Sequence, residues 1–268
     1  MYWKNGELFE GTYLDGEDPT QVPMVYEVFR VHRQRCLFLI EHLERLFRSI
    51  ELLGYKKPYT LQEVNDYLNE LLNCEPDRIG NIKIRLSWWP EPVLEIGYIP
   101  HRYPTRQEAT EGVNVSTLHA VRNTPNIKLW NAALRERTNR ELKEKNVFEV
   151  LLVNESGMIT EGGRSNLFFV RHNELFTAPV ETVLPGITRE TVISLAQQLE
   201  IILHEKHLPE SKIATVDEMF TSGTSAGICP IRAVNGIILP ANRPITNRLR
   251  EAYEKIVEQQ LGPNSYGW

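Results

Sequence analysis

Cysteine is scarce in this 268-residue chain: Cys36, Cys74 and Cys229 are odd in number and far apart. That spacing builds neither a disulfide framework nor a metal-ligand pair, and it suits a reducing cytoplasm. The seven histidines form no HExxH-type cluster, and the close pair His204 and His207 flanks a charged strand end, so no metal site is expected. Positive charge is not in excess. Thirty Lys and Arg against 35 Asp and Glu give a formal charge of −5, which argues against nucleic acid or an anionic membrane as the main partner. No apolar run approaches the roughly 18 residues of a membrane span. Met1 to Gly6 lacks the apolar stretch of a secretory signal, so a cytoplasmic location is the expectation. There are no internal repeats. What remains, 41% hydrophobic and 24% charged, is the composition of a globular protein with a sizeable core.

Asn5-Gly6 lies between short alternating runs, and Tyr2 to Tyr13 reads as a hairpin. Leu14 to Pro23 is acidic and turn-rich. Met24 to Val31 alternates as a strand, His32 to Arg35 turns the chain, and Cys36 to Ile40 is expected to return as a strand. Leu43, Leu46, Phe47, Ile50 and Leu53 repeat at helical spacing from about Glu41, and Gly54 supplies a C-terminal cap. Thr60 with Glu63 forms a capping box for a second helix. Asn81 to Trp88 and Val93 to Ile99 are strands joined around Pro90-Glu91-Pro92. The Pro-, His- and Arg-rich run Ile99 to Glu111 reads as a linker, which divides the chain into an N-terminal α+β lobe (1–105) and a larger C-terminal lobe (106–268). The second lobe is expected to hold strands at Val113–Val121, Phe148–Val153, Ser165–Val170, Leu175–Ala178, Ile201–Glu205 and Glu218–Thr221. Helices are expected at about Ala132–Lys145, Thr188–Leu199 and Pro209–Val216, with a hairpin over Asn235-Gly236 and a final helix capped by Thr246. So many strands with few β-α-β units imply mixed sheets closing toward a barrel.

Two stretches of the second lobe are built to hold an anion. Leu184-Pro185-Gly186-Ile187-Thr188 places a glycine turn ahead of a helix whose first N–H groups point outward. Thr221-Ser222-Gly223-Thr224-Ser225-Ala226-Gly227 offers hydroxyls and backbone donors after a strand. Each also serves as an ordinary N-cap or polar loop. Arg45 is a third candidate; a surface ion pair with Glu41, worth under ~1 kcal/mol, is its plain alternative. Finally, Lys128 stands at a helix entrance and Glu161 just beyond a strand and turn, the pair of residue types that pyridoxal chemistry uses.

His42-Leu43-Glu44-Arg45-Leu46 after the strand Val25–Val28, Ile127-Lys128 with Asn131, Thr160-Glu161-Gly162 with Ser165-Asn166-Leu167-Phe168, Leu184 to Arg189, and Glu218-Met219-Phe220 with Ser222-Gly223-Thr224 occur in one order. In that order they resemble the class IV aminotransferases, the fold-type IV pyridoxal phosphate enzymes. These comprise branched-chain aminotransferases, D-amino acid aminotransferases and aminodeoxychorismate lyases. The resemblance spans about Tyr2 to Val234. It implies a two-lobed α+β fold, with a smaller sandwich-like N-terminal lobe and a larger barrel-like lobe of mixed sheets. It implies pyridoxal 5'-phosphate as cofactor, an amino acid and a 2-oxo acid as substrates, and a homodimer.

Residue by residue, the resemblance makes Lys128 the lysine that forms the aldimine and carries the proton. Glu161 becomes the partner of the pyridine nitrogen, and Leu184 packs on the ring. Arg45, Ile187, Thr188, Thr224 and Ser225 make the phosphate cup. Tyr26 lies beside the substrate. For the substrate carboxylate Tyr26 is best placed, with Arg122, His119 and Arg164 as further suggestions. Arg164 stands where the family tends to have a small residue, and an outward side chain is the preferred reading. Leu14–Pro23 lacks the family's Arg-Gly and Gly-Asp-Gly stretch, and the loop at Trp89-Pro90-Glu91-Pro92 is short. A lyase releasing pyruvate is the runner-up function, and a non-catalytic fold relative is an alternative of another class.

Overall fold

The computed structural model describes residues 1–11, 13, 23–88, 91–263 and 265. Most of the Leu14–Pro23 loop (residues 14–22) and residues 89–90 of the short loop lie outside the described residues. The chain divides into two units, one of Met1–Arg102, Ile127–Ala132 and Val257–Gly267, the other of Tyr103–Asn126 and Ala133–Ile256.

In the first unit, β1 (Tyr2–Lys4), β2 (Glu7–Phe9), β3 (Met24–His32), β4 (Arg35–Cys36), β5 (Ile79–Trp88) and β6 (Pro92–Ile99) form one sheet. Its order is β2-β1-β6-β5-β3-β4, antiparallel throughout. Asn5 and Gly6 both take positive φ (45° and 97°), the conformation a two-residue hairpin demands. One sheet face packs Val25, Phe29, Ile82, Ile84 and Ile96 against helices α1 (Leu39–Leu52) and α2 (Leu61–Cys74). The helices contribute Leu43, Leu46, Ile50, Leu68 and Leu71, the stripe that the helical spacing predicts. The capping box of Thr60 and Glu63 is present in full.

The expected returning strand at Cys36–Ile40 is not formed beyond Cys36. Phe38 adopts a left-handed conformation (φ 53°), its N–H bonds the Gln260 side chain, and α1 begins at Leu39. A local apolar run has here yielded to a helix start set by a distant side chain.

In the second unit, α3 (Arg106–Glu111) lies inside the run read as linker. It carries the same Thr-x-x-Glu box, Thr105 with Glu108, that marks α2. Strands β7 (Val113–His119), β8 (Glu149–Val153), β9 (Met158–Gly162), β10 (Asn166–Arg171), β11 (Glu174–Thr177), β12 (Leu203–Glu205), β13 (Leu208–Pro209), β14 (Glu218–Gly223), β15 (Gly227–Val234) and β16 (Ile237–Ile238) make a mixed sheet. Its order is β12-β11-β10-β14-β15-β7-β8-β9-β13, with β16 paired to β15. The path does not close between β12 and β13, so it is an open, curled half-barrel. Three pairings are parallel: β7 with β8, β7 with β15, and β11 with β12. Helices α4 (Ala132–Glu144), α5 (Ile187–Gln198) and α6 (Pro244–Leu261) and 3-10 turns at Val180–Thr182 and Glu210–Thr215 complete the elements.

Two expectations change here. Thr160-Glu161-Gly162 belongs to a strand, β9, which pairs with β8 across the turn at Asn154–Gly157. Thr246 does not cap the last helix, which starts two residues earlier at Pro244. The buried Glu218 carboxylate accepts from the N–H groups of Ile245 (3.0 Å) and Thr246 (2.7 Å) instead, a cap supplied from β14.

Candidate active site

Lys128 lies on a short extended segment added to the edge of β3. Leu129 bridges Val25, the Tyr26 N–H donates to the Lys128 carbonyl (3.1 Å), and the Trp130 N–H donates to the Met24 carbonyl (2.8 Å). The Lys128 N–H donates to Ser49 Oγ (3.3 Å), and that hydroxyl donates to the Arg45 carbonyl (2.9 Å). One helical turn of α1 therefore touches both the lysine and Arg45.

Tyr26 lies on the sheet face away from the helices, and its ring centroid is 4.9 Å from Lys128 Nζ. Trp130 meets that ring edge-on at 5.5 Å. The same face is polar and yet buried. It carries Lys83, whose Nζ lies 4.3 Å from the Trp130 ring and 5.4 Å from the Tyr26 ring, and the ion pair of Arg85 with Glu95. Nothing in the alternation Ile82-Lys83-Ile84-Arg85-Leu86 marks Lys83 as buried.

On the opposite face of β3, Glu27 is fully buried beneath α1. Its Oε1 accepts from Arg45 Nε (2.7 Å), and its Oε2 accepts from Arg45 Nη2 (2.9 Å) and pairs with His42 Nδ1 (2.7 Å). The plain alternative of an Arg45–Glu41 pair is replaced by this one. Burial opposes ionisation of Glu27, but the Arg45 charge and the hydrogen bonds of Arg45 and His42 outweigh it. The carboxyl is held well below the usual carboxylate range. Burial pushes the His42 pKa down, against the pull of Glu27.

In the other unit Glu161 is buried on β9. Its Oε1 accepts from Arg122 Nε (2.7 Å), and its Oε2 accepts from the Leu184 N–H (3.2 Å). The Leu184 carbonyl accepts from Asn166 Nδ2 (2.9 Å), so the backbone of this residue is held on both sides. Asn126 Nδ2 donates to the carbonyls of Val180 (2.7 Å) and Val183 (2.9 Å). The turn after Glu161 is closed by Glu149, which accepts from Ser165 Oγ and the Arg164 N–H. Arg164 itself is exposed and bonds Asn139 on α4. His119 is also exposed, 3.1 Å from Glu210.

Both stretches expected to hold an anion lie in this unit. Gly186 is the N-cap of α5 and offers no side-chain cap; a Cβ there would stand 2.0 Å from Asn166 Oδ1. The hydroxyls of Thr221 and Ser222 are buried without a hydrogen-bond partner among the described residues. Thr224 and Ser225 are half-buried in the β14–β15 turn, and Ile187 and Thr188 open α5. The Ser222 hydroxyl, paired opposite Asn166 beside Gly186, and the uncapped backbone donors of α5 fit a phosphate.

Comparison with known proteins adds three kinds of finding. The family model described as amino-transferase class IV matches residues 24–234. A D-alanine aminotransferase of Bacillus licheniformis is 26% identical over 247 residues, 87% of each chain. A probable branched-chain-amino-acid aminotransferase of Thermotoga maritima is 30% identical over 243 residues, 87% of this chain and 86% of that one. The branched-chain-amino-acid aminotransferase-like protein 2 of Arabidopsis thaliana is 27% identical, but the chain spans 45% of its length. The Escherichia coli branched-chain amino acid aminotransferase has the same fold, with a TM-score of 0.82 at 23% identity, covering 95% of this chain and 93% of that one. On the strength of the family model and the Thermotoga relative, this chain belongs to the class IV aminotransferases.

Proposed function

We propose that the protein moves an amino group from an amino acid to a 2-oxo acid with pyridoxal 5'-phosphate as cofactor. The observation that carries this most directly is the environment of Glu161, a buried carboxylate with both oxygens oriented by Arg122 and the Leu184 N–H. Solved relatives bear the cofactor in its pyridoxal or pyridoxamine form. When bound, pyridoxal phosphate supplies an aldehyde that a primary amine captures and a ring that withdraws electrons.

The chain's residues divide the work. Lys128 would hold the cofactor through its amine and, as a free amine, would carry the proton taken from the substrate Cα to the former aldehyde carbon. Glu161 would keep a proton at the ring nitrogen, and Leu184 would lie against the ring, as the resemblance implies. By the resemblance, Arg45 in one unit and Ile187, Thr188, Thr224 and Ser225 in the other would be the phosphate ligands, and the Ser222 hydroxyl is a further candidate donor. Tyr26 borders the substrate. Arg122 orients Glu161 through its Nε and stays a candidate for the substrate carboxylate. Exposure of Arg164 and its bond to Asn139 support the outward reading. A homodimer in the cytoplasm belongs to the same proposal; three free cysteines are in keeping with that compartment. Among the described residues no helix is long and apolar enough to cross a membrane.

The test is amino transfer by purified protein with pyruvate or 2-oxoglutarate as acceptor and a panel of L- and D-amino acids as donors. New amino acid formed from the acceptor supports the reading. Pyruvate released from aminodeoxychorismate without any acceptor, with no transfer, would replace it with the lyase.

A further inference from the structure

Glu27 takes no part in the chemistry above, yet its carboxylate is fully buried at the end of α1's first two turns. Its neighbours on that strand face, Val25 and Phe29, are core residues, and an apolar side chain is what such a position ordinarily takes. Stability is a weak account of the charge, since well-packed apolar groups often replace buried ion pairs at no cost or with gain. What an ion pair does supply is orientation. A guanidinium has five N–H donors in one rigid plane, and two parallel bonds to a carboxylate fix that plane and the direction of the other three. His42 Nδ1 holds the same carboxylate at 2.7 Å, and Ser49 Oγ holds the Arg45 backbone at 2.9 Å.

We infer that Glu27, braced by His42, is a positioning residue that fixes the Arg45 guanidinium in the orientation in which it receives the cofactor phosphate. This rests on the reading of Arg45 as a phosphate ligand. Two effects of Glu27 oppose each other: its negative charge weakens the attraction of Arg45 for an anion, while its fork removes the freedom of a long side chain. In a desolvated setting an aligned charge-assisted donor outweighs a free but misdirected one, so orientation is the larger effect.

The experiment compares pyridoxal 5'-phosphate with pyridoxal, which lacks the phosphate, as ligands of the full chain freed of cofactor. Its readout is the ratio of the two dissociation constants. Arg45→Ala should reduce that preference for the phosphate at least about tenfold, the loss of one charge-assisted hydrogen bond. Glu27→Gln should reduce it by a similar factor while pyridoxal affinity stays unchanged. Glu27→Asp keeps the charge but withdraws it by one methylene, and should also reduce it; it stands in if the glutamine variant does not fold. A preference that holds or rises in both Glu27 variants, while falling in Arg45→Ala, overturns the inference and leaves the reading of Arg45 intact. A preference unchanged in Arg45→Ala overturns both.

Discussion

Replacing Glu161 with glutamine tests the carboxylate without changing its shape. One of the two oxygens becomes an NH2 group, which cannot accept from both Arg122 Nε and the Leu184 N–H. If the remaining oxygen stays on Arg122, the NH2 faces another donor at Leu184; if it turns to Leu184, Arg122 faces the donor. Either way one hydrogen bond to a charged group is lost, about 1.5–3 kcal/mol. Because the Arg122 side chain is only 14% exposed, solvent recovers little of it. Unfolding by urea without cofactor should show that loss in the midpoint with an unchanged slope. The catalytic effect is larger, since the amide no longer keeps a proton on the ring nitrogen; a single electrostatic partner of this kind is worth about 10²–10³ in kcat. The assay is transfer with the substrate Cα carrying hydrogen or deuterium. In the variant kcat should fall by that factor, KM should change far less, and the isotope effect should grow as proton removal becomes limiting. An unchanged kcat alongside the expected stability loss would mean that Glu161 is a structural partner of Arg122 and nothing more.

Other consequences follow from the same geometry. Lys128→Ala should abolish turnover while far-UV circular dichroism and the urea midpoint of the cofactor-free protein stay as they were; turnover at the parent rate would remove Lys128 from the mechanism. Glu27 is depressed below its ordinary 4.5 when folded, so its contribution to stability is complete above that value and drains away as pH falls toward the folded pKa. Urea midpoints should drop between about pH 5 and about pH 3, and less steeply in Glu27→Gln; parallel acid limbs would contradict this. Gly186 has φ −73°, which alanine accepts, so Gly186→Ala isolates the clash with Asn166 Oδ1. A loss of about 1–3 kcal/mol in stability is expected together with weaker cofactor binding, and a neutral substitution would show that the Asn166 amide is not fixed. Thr60→Ala, at an exposed cap, should cost about 1 kcal/mol and leave turnover alone.

What could be read directly in the residues was local. Asn5-Gly6 and Asn235-Gly236 both turn at positive φ, and the Thr60 box caps its helix as its spacing says. The box at Thr105 was as legible as that at Thr60, but the prolines at 100 and 104 drew the whole stretch toward a linker. Other features depend on partners far away in sequence. Glu218 caps a helix 26 residues downstream, and Gln260 receives the N–H that starts α1. The strand holding Glu161 is short and weakly alternating, so its pairing with β8 rather than its own composition defines it. At the site, Lys128, Glu161 and the glycine turns are legible only through the order of motifs that resembles the class IV aminotransferases, since each alone fits an ordinary surface residue or cap. The burial of Glu27, His42 and Lys83 is not legible, since nothing in an alternating strand or helix face distinguishes a buried ion from a solvated one before the opposing element is known.

The central claim is that the Lys128 amine carries the cofactor, and reductive trapping measures it directly. The protein is incubated with pyridoxal 5'-phosphate, reduced with borohydride, digested and mapped by mass spectrometry. The account predicts one phosphopyridoxyl group per chain, on the peptide containing Lys128. A label spread over surface lysines, or concentrated on Lys83 with Lys128 unmodified, would contradict it.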